Sequence, residues 1–190
     1  MAIGLGAGGV AVAGLAAVAA VALLGDDGTR PYTLTAPPAV AGLPLDSDAT
    51  KSLESAGSSL EDYERRAGAA LGGEIDGRMF AVYSAGADGL RISLDGRTGS
   101  GLAPGELKSG LERLARESNN PIRGLRSVAP GPHGGSAVCT VTPRVGCAWL
   151  TSTTFVLIDF RVADEENKPL ELDEAVELLH RIRAAVEKPA

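Results

Sequence analysis

Residues 2–24 are an unbroken run of uncharged, mostly apolar residues, AIGLGAGGVAVAGLAAVAAVALL. A helix of about 20 such residues matches the roughly 30 Å hydrocarbon core of a bilayer. In lipid, a helix is the one single-segment structure that satisfies all of its own backbone groups. Residues 1–24 therefore predict a transmembrane anchor, which puts the rest of the chain on one side of a membrane. The charges that follow are Asp26, Asp27 and Arg30. They orient the span weakly, because Lys and Arg carry the topological signal and acidic residues carry little. The expected arrangement is a short N-terminus inside and the long C-terminal part outside, at the plasma membrane. A secretory signal cleaved near Ala19 is the competing reading. Ala17-Val18-Ala19 fits its small-x-small site, while the basic n-region is missing and the apolar run continues to Leu24. Gly4 and Gly8 form a G-x-x-x-G that could pack two such helices, a spacing that arises easily by chance in so Gly-rich a run.

Residues 25–31 (GDDGTRP) read as a polar linker, and residues 32–190 as one extracytoplasmic domain long enough to bury a core. The formal net charge is −6 and no Lys/Arg cluster stands out. Nucleic-acid binding needs a basic footprint, so it is excluded. The expected partners are the membrane, through residues 2–24, and an unidentified envelope or membrane protein; no cofactor is expected.

The two cysteines, Cys139 and Cys147, lie in strand-like segments 136–142 (SAVCTVT) and 145–151 (VGCAWLT). A hairpin centred on Pro143 makes 139 and 147 direct partners. Opposed residues in a non-hydrogen-bonded pair have Cα atoms about 4.5 Å apart, within disulfide range. A disulfide persists outside the cytoplasm. The C-x-x-C spacing of redox-active thiols is absent, and two Cys alone make too few ligands for a metal. A structural disulfide is expected.

Elsewhere the periodicities predict alternating elements. Residues 32–35 (YTLT) read as a strand, and 40–44 as an extended entry segment. From Asp48 to about Leu71 one helix is expected, capped by Asp48 or Thr50 and stopped by Gly72-Gly73, with Leu53, Ala56, Leu60, Tyr63, Ala67 and Ala70 on one face. Segments 79–84 and 90–94 form a hairpin, and 95–101 (DGRTGSG) is expected to be a flexible loop. A second helix covers 104–117, a short strand 125–129, and a turn-rich loop 129–135. Residues 153–160 (TTFVLIDF) are apolar on both faces, as in a central strand covered on both sides. Leu172, Val176, Leu179, Ile182 and Val186 mark a third helix, with Glu177 and Arg181 as an i,i+4 pair. Hairpins dominate, so the fold class is α+β, a mainly antiparallel sheet packed by about three helices.

Three motifs then carry a resemblance. Leu34-Thr35-Ala36-Pro37 is followed by Gly42-Leu43; Cys139 precedes Cys147 and Trp149; and Ile182-Arg183-Ala184-Ala185-Val186-Glu187 closes the last helix. Over residues 32–188 the chain resembles a group of uncharacterised actinobacterial single-pass, membrane-anchored extracytoplasmic proteins. The resemblance implies extracytoplasmic placement and the disulfide, and no activity. The layout is also similar in topology to the PsbP/Mog1-type sandwich.

No motif defines a reaction centre, and no catalytic, cofactor-binding or metal-binding residue is assigned. Loop 95–101 lacks the Gly-Lys-Ser/Thr ending of a P-loop. His133, in Pro132-His133-Gly134-Gly135, resembles part of an oxyanion hole, but the chain has no Gly-x-Ser-x-Gly nucleophile elbow. His180 falls on the polar side of the last helix. Asp46/Asp48 and Asp164/Glu165/Glu166 read as solvated turns, since the spaced ligands of a calcium loop do not follow. Trp149 shares strand parity with Cys147 and reads as core packing. The function expected is a membrane-anchored binding or scaffolding domain without catalysis. The alternatives are a cell-envelope hydrolase or ligand-binding enzyme using loops 95–104 and 129–136, and an accessory subunit of a larger membrane protein.

Overall fold

The structure is a computed structural model that describes residues 30–56, 61–86, 89–117, 122, 124–140, 145–162 and 170–190. The expected anchor with its G-x-x-x-G, most of the linker, and the acidic turn at 164–166 lie outside the described residues. Among the described residues no helix is long and apolar enough to cross a membrane.

The domain is α+β. Ten strands are described: β1 (Tyr32–Leu34), β2 (Ala39–Val40), β3 (Leu43–Pro44), β4 (Glu74–Ser84), β5 (Arg91–Ser100), β6 (Arg126–Val128), β7 (Ser136–Thr140), β8 (Gly146–Leu150), β9 (Thr154–Arg161) and β10 (Glu187–Pro189). Four helices accompany them: α1 (Ser47–Ala56), α2 (Glu61–Ala70), α3 (Leu107–Glu117), entered through a 3-10 turn at Pro104–Glu106, and α4 (Leu172–Val186). Six strands form one antiparallel sheet in the order β4-β5-β9-β8-β7-β6. After β5 the chain crosses through α3 to the far edge, then returns by β6, β7 and β8 until β9 pairs with β5. The central position of β9 explains its two apolar faces. Val156, Ile158 and Phe160 join the core under α4, while Phe155 and Leu157 join the core on the opposite face, which includes Leu107 and Leu111 of α3.

Several expectations change. The single helix expected from Asp48 to Leu71 is two helices, so the described helices number four rather than about three. Gly57-Ser58-Ser59, poor helix formers, stand between them. The cap of α1 is Asp46, not Asp48 or Thr50. Its Oδ1 accepts from Ala49 N at 2.9 Å, and the Thr50 hydroxyl is used instead to accept from Val82 N of β4 at 3.0 Å. Residues 40–44 are a tight hairpin rather than an extended segment. Val40 pairs with Leu43 across Ala41 (φ 51°) and Gly42 (φ 84°), the paired positive φ values of a primed turn.

Residues 95–100, expected as a loop, complete β5. The glycines there serve close approach, not flexibility. A Cβ on Gly99 would lie 2.1 Å from Glu74 O of the neighbouring strand, and one on Gly96 would lie 2.8 Å from Leu34 Cδ1. A further change is at the C-terminus, where no strand was expected. β10 pairs antiparallel with β1, with Tyr32 opposite Pro189 and Leu34 opposite Glu187. The Glu177–Arg181 pair is not formed among the described residues; the i,i+4 ion pair of α4 is Arg183 with Glu187.

Candidate functional site

Strand alternation decides what each face of the sheet presents. One face carries α4 over an apolar core. The other divides in two. At one end Val138, Ala148, Leu150 and Phe155 pack with Leu71, Leu102, Leu107 and Leu111. At the other end the inward positions turn polar: Arg91, Ser93 and Asp95 on β5, and Asp159 and Arg161 on β9. There a groove of about 470 Å³ runs between α1 and the sheet, lined by Ala49 and Leu53 of α1, Val82 of β4 and Leu157 of β9, besides those polar residues. This is within the range of small-molecule sites, which are concave and combine apolar walls with a few polar groups.

Each carboxylate of the groove has a cationic neighbour. Asp159 Oδ2 accepts from Arg161 Nε at 2.8 Å. Asp95 Oδ1 accepts from Arg97 NH1. Desolvation raises the Asp95 carboxyl above its ordinary range, against the opposing pull of Arg97. Arg97 is the base of this system. Its side chain is 1% exposed and lies over the Phe80 ring, 5.0 Å from its centroid. NH1 also donates to Gly96 O at 2.9 Å. Arg97 Nε is 3.3 Å from Glu64 Oε1 of α2, close enough for an ion pair but without hydrogen-bond geometry. Among the described residues Arg97 NH2 has no hydrogen-bond partner. Glu64 is shared with Arg78, whose NH2 donates to Oε2 at 3.0 Å.

A second polar cluster lies under the opposite face, around loop 129–135. The Glu187 carboxylate is fully buried. It accepts from Arg183 Nε at 2.7 Å, from Trp149 Nε1 at 3.1 Å and from the Thr154 hydroxyl, and its Oε2 lies 3.0 Å from His133 Nδ1. Arg183 NH1 donates to Pro130 O and Gly134 O, both at 2.7 Å, and its NH2 reaches His133 O at 3.4 Å. The guanidinium also sits over the Trp149 ring, 5.8 Å from its centroid. The His133 ring stacks on Tyr32, with centroids 5.1 Å apart. His180 Nε2 lies 2.8 Å from Ala129 O, fixing the start of the same loop.

The sequence candidates thus go to different places. Cys139 and Cys147 are direct register partners, at disulfide distance with Cα atoms 4.0 Å apart, inside the core. Trp149 is buried, as its parity predicts, but its indole N–H is committed to Glu187. Asp46 is the α1 cap, and His133 and His180 hold loop 129–135. Of the two loops named as a hydrolase site, residues 95–100 are strand, and the groove takes none of its lining from 129–136. Tyr83 is buried, its hydroxyl donating to Pro37 O at 3.1 Å, and desolvation pushes its pKa up to about 12. Among the described residues no group of three or more His, Cys, Asp or Glu could hold a metal. The groove residues went unread because they are spread over α1, β4, β5 and β9; the one available signal was the polar Arg91-x-Ser93-x-Asp95-x-Arg97 alternation. No protein-family model, curated protein or solved structure matches this chain.

Proposed function

We propose that residues 32–190 form the ligand-binding domain of a single-pass membrane protein, carried outside the cytoplasm by residues 2–24, and that it binds without catalysis. The observation that carries the reading is the groove between α1 and β5/β9, where a sheet face covered elsewhere is left concave, half polar and half apolar. The cysteine pair at disulfide distance supports an oxidising compartment. The sheet with helices on both faces keeps the PsbP/Mog1 analogy, one of topology alone.

Two measurements test this reading. In intact cells, protease added outside should digest the domain of the full chain; protection would place it inside. A screen of small organic ligands against the full chain, read by amide hydrogen exchange, should protect residues 91–95 and 157–161. Hits that protect only other segments would remove the groove from the proposal.

A further inference from the structure

Arg91 and Arg161 are direct cross-strand partners in the β5–β9 ladder and lie on the same face, at the open end of the groove. Like charges directly opposite each other destabilise an antiparallel pair. Asp159 offsets Arg161 by its 2.8 Å contact with Nε. Deeper in, Asp95 is paired with Arg97. Arg91 is exposed and has no ion-pair partner among the described residues. Among the described residues, Arg91 is thus the one charged group lining the groove that has no ion-pair partner, and it faces a second arginine.

We infer that the groove takes a small organic monoanion with an apolar body, its carboxylate held between Arg91 and Arg161 and its body against Leu53, Val82 and Leu157. This rests on the groove being the binding site. The Arg pair supplies forked N–H donors that match a carboxylate, and an anion between them relieves the opposition of two like charges. Leu53 and Leu157 are half-buried and Val82 is buried, so the walls beside that pair give an apolar body a surface to cover. A cation in the same place would face two arginines.

The test uses the full chain in nanodiscs of zwitterionic lipid, with empty nanodiscs as the blank. Three probes of one shape, 4-phenylbutanoate, 4-phenylbutan-1-ol and 4-phenylbutylammonium, are titrated by calorimetry. The carboxylate should bind about tenfold tighter than the alcohol, the equivalent of one charge-assisted hydrogen bond. Arg91→Gln should erase that advantage while leaving alcohol binding unchanged, and Arg91→Lys should restore part of it. Equal binding of carboxylate and alcohol, or an Arg91→Gln variant that keeps the advantage, would overturn the anion inference and leave the groove reading standing. Tightest binding by the ammonium would overturn it in favour of Asp95 and Asp159. Binding of none of the three would remove the groove reading and this inference with it.

Discussion

Arg97 and Arg183 are equally buried, each side chain 1% exposed, yet they are used differently. Arg183 spends its donors on Glu187 and on three carbonyls of loop 129–135, and Glu187 in turn accepts from β8, β9 and its own helix end. Arg97 leaves NH2 without a partner among the described residues and meets Glu64 without hydrogen-bond geometry. A buried donor left unsatisfied costs about 1–3 kcal/mol, whereas a saturated network joins whatever segments supply its members. The Arg183–Glu187 pair therefore ties the end of α4, loop 129–135 and strands β8 and β9 into one unit. The Arg97 system lies beside the groove, next to Asp95, and joins fewer segments.

The sharpest way to break this contrast is to remove one partner from each network. Glu187→Ala strands the Arg183 charge in the interior and should cost about 3–5 kcal/mol, measured by urea unfolding. A loss below 1 kcal/mol would mean that the pair does not hold the loop. The disulfide provides a covalent yardstick. Cys139→Ser with Cys147→Ser should cost about 2–3 kcal/mol by the chain-entropy argument for a short loop, less than loss of Glu187. Arg97→Met comes next. It deletes unsatisfied donors along with the charge, and the remaining carboxylates have other relief: Glu64 keeps Arg78, and Asp95 is 29% exposed. Its cost should be about 1 kcal/mol, below the roughly 3–5 kcal/mol of breaking a fully buried pair. A cost equal to that of Glu187→Ala would erase the distinction.

The smallest effect concerns pH. Asp95 has a raised carboxyl pKa in the fold, so the native state holds its proton to higher pH than the unfolded chain. The stability this contributes is fully present below the ordinary carboxylate range and declines as pH rises through the raised value. Asp95→Asn should therefore show its larger deficit at about pH 3 and a smaller one at pH 7. A deficit that grows with pH would mean that the Arg97 ion pair outweighs desolvation.

Local signals in the sequence reached the parts of the molecule whose partners are near or periodic. The midpoint at Pro143 was enough to pair Cys139 with Cys147, and the two-faced apolar run of residues 153–160 was enough to make β9 central. Tyr32 was read as a strand, but its partner, Pro189, lies at the far end of the chain. Glu187 stood out only as the end of the closing motif, because the groups that bury it, Trp149 and His133, are 38 and 54 residues away. Residues 95–100 looked like a loop because glycine serves both flexibility and close backbone approach, and only the position of Glu74 and Leu34 shows which applies. The groove was out of reach for the same reason, since its walls come from four elements that no short spacing connects.

The pairing of β1 with β10 has a geometric consequence. Whatever precedes Pro31 and whatever follows Pro189 leave the domain from one corner, beside Thr153, whose hydroxyl donates to Tyr32 O at 3.0 Å and accepts from Tyr32 N at 2.7 Å. Strand β9 begins at that corner and ends at Arg161, in the groove. At the usual rise per residue its eight residues span about 24 Å. The strand thus acts as a spacer, setting Arg91 and Arg161 a strand's length from the corner by which the chain enters.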